Sequence, residues 1–320
     1  MPDYQRVLAI INPVSGTHNP DDTAKLIRER LEPHLSVVEV RFTTGANDAL
    51  NWAQGAVDEG FDLVLVAGGD GTVVEAMTGL IKGPKLIPLA QLPTGTASQI
   101  ARALSISLNL EEAIELVYSG RTVYLDTAYL PQHDRYFALI SGAGFDARVM
   151  EAPRGLKRRL GFFAYVLMGI WHIFNLRKTD VTLELDDHIK KVRAHTVLIA
   201  NIGRIDDIDF AIGPDIWHHD GTLDVIVVAS LSFGDILRLS WRVLTGNFSN
   251  YRDLRYYKAR RVRIDSKRPL PVQIDGDPLG TTPLEAEVVP DGVLVLVPQH
   301  YVPRKHESDP RQRSTEPEAV

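Results

Sequence analysis

Short aliphatic and β-branched runs alternate with stretches of helical spacing through the first part of the chain. Residues 6–12 (RVLAIIN) and 62–67 (DLVLVA) each end in turn residues, and each is followed by apolar positions three and four apart, over 21–31 and 73–81. Further helical patterns cover 46–59 and 111–118, and an apolar strand pattern covers 86–91. These repeated units predict a mostly parallel, helix-covered sheet over roughly the first 127 residues, with ligands gathered at the carboxyl ends of its strands.

After Asp126 the period changes to two. VTLEL at 181–185 and RVRI at 261–264 alternate, TVLIA, LDVIVVA and GVLVLV add further strand patterns, and helical patterns interrupt them near 156–176 and 233–245. The expected organisation is an α/β domain over 1–127, a β-sandwich or barrel-like domain over 128–302, and a disordered polar tail over 303–320 that has no apolar face to repay its ordering.

At 320 residues and 44% hydrophobic content the chain can fill one large or two modest cores. Cysteine is absent, which excludes disulfides, thiolate zinc sites and cysteine nucleophiles and suits a reducing cytoplasm, the expected location. A formal charge of −6 gives no general attraction to nucleic acid, and none is expected as a partner. The N-terminal apolar run lacks a preceding basic stretch and a cleavage site, so it reads as a first strand and not as a signal peptide. The longest apolar run, Leu160 to Phe174, is shorter than the ~20 residues of a spanning helix. With Arg154, Lys157, Arg158 and Arg159 before it, the 154–174 segment reads either as a helix laid on the inner membrane face or as a core helix. A second basic stretch, Arg252 to Arg268, reads as a solvated strand face, with phosphate or membrane contact as the lesser reading.

The strongest chemical signal is VAGGDGTVVEAM at 66–77, a strand that runs through Gly68, Gly69, Asp70, Gly71 and Thr72 straight into a helix. Glycines let backbone approach a ligand, and the freed N–H groups at a helix start attract phosphate. The pattern is neither a P-loop nor a dinucleotide fingerprint. Asn12-Pro13-Val14-Ser15-Gly16 and Leu92-Pro93-Thr94-Gly95-Thr96 close two other strands, so a parallel sheet brings three glycine turns to one edge. A plain tight turn is the alternative for each taken singly. Asp275 and Asp277, two apart around Gly276, are carboxylates for general-base work or else a surface hairpin turn. His218 and His219 precede Asp220, but adjacent residues on an extended segment point to opposite sides, which argues against a transition-metal site.

Taken in order, NPVSG, GGDGT with Glu75, LPTGT with Ala101-Arg102, then GAGFD at 142–146, DGTLD at 220–224 and IDGDP at 274–278 resemble the diacylglycerol kinase catalytic-domain family, in particular its bacterial lipid kinase branch, related to sphingosine kinases. The resemblance covers about residues 6–300. It implies a Rossmann-like, NAD-kinase-like α/β nucleotide-binding domain followed by a β-sandwich, with ATP and Mg2+ as cofactors. Asn12, Pro13, Val14, Ser15, Gly16, Thr43 (with Thr44 as substitute), Gly68, Gly69, Asp70, Gly71, Thr72, Val73, Val74 and Thr96 would contact the nucleotide. Asp220 would hold magnesium with Trp217 and Thr222, and Asp275 and Asp277 would be catalytic, orienting and deprotonating the acceptor. On this reading Asp275→Asn abolishes turnover with little loss of fold.

Three departures stand out. Asp277 replaces the glutamate of the family's Asp-Gly-Glu, Ala97-Ser98-Gln99 replaces a segment ending Asn-Asp whose carboxylate belongs to an acidic, metal-linked network with Asp126, and Val74 replaces an asparagine. The function implied is an ATP-dependent lipid kinase; the rivals are an NAD kinase and a catalytically silent lipid-binding regulatory protein on the same scaffold. Diacylglycerol, a sphingoid base, phosphatidylglycerol and an isoprenoid or glycolipid alcohol are all acceptors the sequence allows, and a homodimer is compatible with it.

Overall fold

The computed structural model describes residues 4–16, 18–144, 178–202, 204–205, 210–211, 216–229 and 254–302. The expected helices near 156–176 and 233–245, the 154–174 membrane reading and the 303–320 tail lie outside the described residues. Among the described residues no helix is long and apolar enough to cross a membrane.

Four strands, β1 (Arg6–Ile11), β2 (Val37–Phe42), β3 (Leu63–Gly68) and β4 (Leu89–Pro93), pair in parallel in the order β2-β1-β3-β4. Every residue of β3 and β4 is buried, as expected of central strands covered on both faces. Helices α1 (Pro20–Leu31), α2 (Asp48–Gly55) and α3 (Asp70–Lys82) supply the crossovers. Asn19 caps α1 by accepting the N–H groups of Asp21 and Asp22, and Pro20 opens its first turn. The N-terminal half is therefore the parallel α/β domain that the hydrophobic pattern predicts.

The second half is a β-sandwich. One layer is β15 (Arg261–Ser266), β8 (Thr179–Leu185) and β9 (His188–Ala194), and the other is the six-stranded sheet β14-β13-β10-β7-β16-β17, made of Leu254–Ala259, Leu223–Val228, Thr196–Ala200, Ile140–Ala143, Pro271–Ile274 and Asp277–Thr281. Their inner residues, among them Leu183, Ile264, Val197, Val225 and Ile274, make one core. On the outer face Arg263, one cation of the basic stretch at 252–268, lies opposite Glu184 and Glu285 and ion-pairs with both.

Two long antiparallel strands join the halves. In β5 (Arg121–Leu130), Val123 and Leu125 belong to the α/β core while Ala128 and Leu130 belong to the sandwich core; in β18 (Leu284–Val297), Val293 to Val297 and Leu284 to Ala286 divide in the same way. The register shifts between Val289 and Val293, where the pair turns from one core to the other. Residue 127 falls inside β5, and β18 also borders β4, so one hydrogen-bonded sheet runs through both halves.

Phe137, fully buried in the sandwich core on β6 (Arg135–Phe137), lies directly before the segment that receives the Asp275 side chain. Phe137→Ala is expected to cost about 3–5 kcal/mol, read as a lower denaturation midpoint in urea.

Candidate functional site

The three glycine turns pack backbone against backbone at the carboxyl edge of the parallel sheet. A Cβ on Gly95 would lie 2.5 Å from the Gly69 Cα, and one on Gly16, whose φ is +67°, would lie 1.7 Å from the Thr94 carbonyl oxygen. No side chain fits at either contact, which is why the sequence has glycine in both turns. Polar bonds tie the turns together. Asn12 Nδ2 donates to Thr72 Oγ1 at 2.8 Å, and Asn12 N–H donates to the Ala67 carbonyl at 2.9 Å. Asn12 Oδ1 accepts the Val14 N–H at 3.1 Å.

Asp70, the acid of GGDGT, points away from the mouth of the turn. It accepts the N–H groups of Gln99 and Ile100, each at 3.0 Å, and so caps the short helix α4 (Gln99–Ala103) that follows LPTGT. Burial pushes its carboxyl above the usual range, against those two bonds and the nearby Arg102 charge. The start of α3 is left open: its N-cap, Gly69, offers no side-chain bond, and nothing lies within 4 Å of a Cβ placed on Gly71. Unsatisfied N–H groups at the positive end of a helix, with free space before them, suit a phosphate group. Thr43 N–H extends the sheet by donating to the Ile11 carbonyl at 2.8 Å, whereas Thr44 spends its N–H and hydroxyl on Asp48. Val73 N–H donates to the Gly69 carbonyl, Val73 is buried, Val74 is half-buried and Thr96 is exposed.

The 275–277 turn is within electrostatic reach of α3: desolvation raises both Asp275 and Glu75 on α3, and the charges of Asp70 and Asp277, respectively, add to it. The two aspartates differ sharply. Asp275, at φ +46°, is half-buried and turns its carboxylate inward to accept three backbone N–H bonds, from Ala138 at 3.2 Å, Leu139 at 3.1 Å and Ile140 at 2.8 Å. Burial pushes it up to about 7 although the three bonds favour the anion. Asp277 has a side chain 73% exposed, with Arg135 at 3.5 Å. Glu75, named in the sequence only as part of the GGDGT resemblance, faces this turn half-buried. Desolvation raises its carboxyl, the Asn47 N–H bonds it, and the charges of Asp48, Arg135 and Asp277 reach it. The one signal for it in the sequence is an acid in an otherwise largely apolar helix; Arg135 and Asp48 carried no signal.

Trp217, Asp220 and Thr222 share one turn before β13. Asp220 Oδ1 accepts the Thr222 N–H at 3.0 Å and its hydroxyl at 2.7 Å, while Oδ2 pairs with Lys258 Nζ at 2.5 Å. His218 and His219 are in a turn and not an extended segment, so their rings lie 4.4 Å apart and both approach Tyr301 Oη, at 2.5 and 3.0 Å. The expectation of opposed side chains fails there because it assumed a strand. Asp126 closes the junction from below: its carboxylate accepts the Gly221 N–H at 2.7 Å and the Asp291 N–H at 3.0 Å, and its own N–H donates to the His218 carbonyl at 3.0 Å.

Asp275 yields a pH dependence. Its folded-state pKa lies above the ordinary carboxylate value, so folding favours the protonated form: that contribution is complete below about pH 4 and is lost as pH rises through about 7. Wild-type stability in urea is expected to fall over that window, and Asp275→Asn to remove this part of the slope. Asp275→Ala, which strands three buried N–H groups at about 1–3 kcal/mol each, is expected to lower Tm markedly.

The sequence matches the family model for the diacylglycerol kinase catalytic domain over residues 6–130 and that for the YegS C-terminal NAD kinase beta sandwich-like domain over residues 139–297. A diacylglycerol kinase of Bacillus subtilis (strain 168) is 28% identical over 308 residues, covering 92% of this chain and 97% of its own. A diacylglycerol kinase of Staphylococcus epidermidis is 27% identical over 285 residues, covering 87% and 88%. An uncharacterized Synechocystis protein is 28% identical over 305 residues, 90% of this chain and 69% of that one. A solved Bacillus anthracis structure superposes with a TM-score of 0.80 at 24% identity, over 94% of this chain and 100% of that one, and shares the fold.

Proposed function

The chain belongs to the diacylglycerol kinase catalytic-domain family, and we propose that it transfers the γ-phosphate of ATP to a hydroxyl group of a lipid. The observation that carries this reading is the open, uncapped start of α3, enclosed by three glycine turns and joined by charge coupling to the 275–277 turn. Asn12 to Gly16, Thr43, Gly68 to Val74 and Thr96 line the nucleotide side. The backbone N–H groups at the α3 start take the phosphates, while Asp70 acts through α4 by holding the LPTGT turn in place. Magnesium carried on the ATP phosphates supplies charge neutralisation.

In the transfer, the acceptor oxygen bonds to the γ-phosphorus, the bond from that phosphorus to the bridging oxygen breaks, and ADP leaves with that electron pair. The hydroxyl proton goes to a carboxylate. Asp277 suits that role, being exposed and, among the described residues, paired with Arg135 alone, whereas Asp275 spends its carboxylate on three backbone N–H groups and positions the turn. We assign the α/β unit to about residues 1–127 and the sandwich to about 128–302, with β5 and β18 shared between them.

ADP release from ATP and magnesium, measured over a panel of detergent-dispersed lipid alcohols with NAD included, tests the reading. Stimulation by one lipid, reduced at least about 100-fold by Asp277→Asn, is expected. Near-normal turnover of that variant would remove Asp277 from the chemistry. Stimulation by NAD alone would make the protein an NAD kinase, and lipid binding without ATP turnover would make it a regulatory scaffold. Gly95→Ala, whose methyl group collides with Gly69, is expected to weaken binding of a non-hydrolysable ATP analogue by at least about 10-fold.

A further inference from the structure

The carboxylates that could hold a resident cation in this fold are bonded instead to the protein itself. Position 99 is glutamine where the family pattern has an acid. Asp70 accepts two N–H groups of α4, and Asp126 accepts those of Gly221 and Asp291. Among the described residues no group of three or more histidine, aspartate or glutamate side chains is arranged to hold a metal ion.

Asp220 is the decisive case. One of its oxygens accepts both the N–H and the hydroxyl of Thr222, and the other meets Lys258 Nζ at 2.5 Å. Lys258 is the cross-strand partner of Asp224 in the β13/β14 ladder, so the strand register itself delivers the ammonium to the turn, where Asp224 Oδ1 lies 3.6 Å from it. The three side chains are only 22% (Lys258), 11% (Asp220) and 5% (Asp224) exposed, which leaves their charges poorly screened by solvent. A divalent cation at Asp220 would share a largely buried carboxylate with an ammonium group in contact with it, and like charges at that separation repel strongly. The donors do not fit a resident magnesium ion.

We propose that Lys258 takes the place of a divalent cation at the Asp220 turn. The ammonium supplies the positive charge that holds this turn between β13 and the β5/β18 junction, and magnesium enters the protein only on its nucleotide. A lysine does this without a free-ion requirement, so the junction of the two halves stays closed at any magnesium concentration.

Thermal melting of the nucleotide-free protein, in EDTA and in saturating magnesium chloride, tests this without reference to turnover or acceptor. The wild type is expected to melt at the same temperature in both. Lys258→Met and the milder Lys258→Gln are expected to melt lower in EDTA and to recover by about 2–4 °C or more with magnesium, because the bared Asp220 then accepts the ion. A saturable magnesium-dependent rise in the wild-type Tm overturns the proposal, and so does a folded Lys258 variant that ignores magnesium. The wild-type arm stands alone if both variants fail to fold.

Discussion

Direct contact between backbones, with no side chain between them, is the constraint around which the carboxyl edge of the parallel sheet is built. Gly69 and Gly95 meet at a separation that leaves no room for a methyl group, and Gly16 closes against the Thr94 carbonyl. That closeness brings three strand ends into one concave surface and keeps the first N–H groups of α3 facing outward. It also explains why Asp70 must turn sideways. With the turns in contact, its carboxylate reaches the N–H groups of Gln99 and Ile100, and the bonds it makes there anchor the third turn to the second. A charged acceptor is worth about 1.5–3 kcal/mol per bond, and these bonds act against the desolvation that raises its pKa.

A second constraint lies where β5 and β18 pass between cores. A strand pair that serves two cores has to rotate its apolar face midway, and the register shift at Val289/Val293 does this. The rotation exposes backbone groups that must be satisfied. Asp126 accepts the Asp291 N–H at the shift, and Asn201 Nδ2 donates to the Asp126 and Ala138 carbonyls at 2.8 and 3.0 Å. The same two side chains thereby link the shift to the Asp220 turn and to the segment that cradles Asp275, so the Asp275 turn inherits its position from the junction between the cores.

Hydrophobic periodicity made most of the α/β half legible, because β1, β3, α1 and α3 carry unbroken patterns with turn residues at their ends. β2 escaped notice: its residues are only half-buried at the sheet edge, so VVEVRF lacks a strong apolar signal. The pattern at 46–59 overran α2, which ends at Gly55. Motifs announced the glycine turns and the two aspartates, but spacing cannot say which acid turns inward. That depended on β7 and β16 pairing in a register that aims Asp275 at Ala138 to Ile140, a long-range fact. Lys258 was hidden for the same reason, lost among arginines until the ladder set it opposite Asp224.

The contrast among the acids follows from what holds each of them. Asp70, Asp126 and Asp275 accept two or three backbone N–H bonds apiece, at about 1.5–3 kcal/mol each, so exchanging those bonds for a substrate contact would cost more than the contact returns. Among the described residues Asp277 has only a solvent-exposed pair with Arg135, an interaction worth about 0–1 kcal/mol. Its rotation away from the guanidinium would break no bond to the backbone. Its side chain is one methylene shorter than the family's glutamate, and Glu75 stands across from it as a second acid whose charge it feels. The carboxylates bonded to backbone hold the turns in place, and Asp277 is the one whose movement costs the fold least.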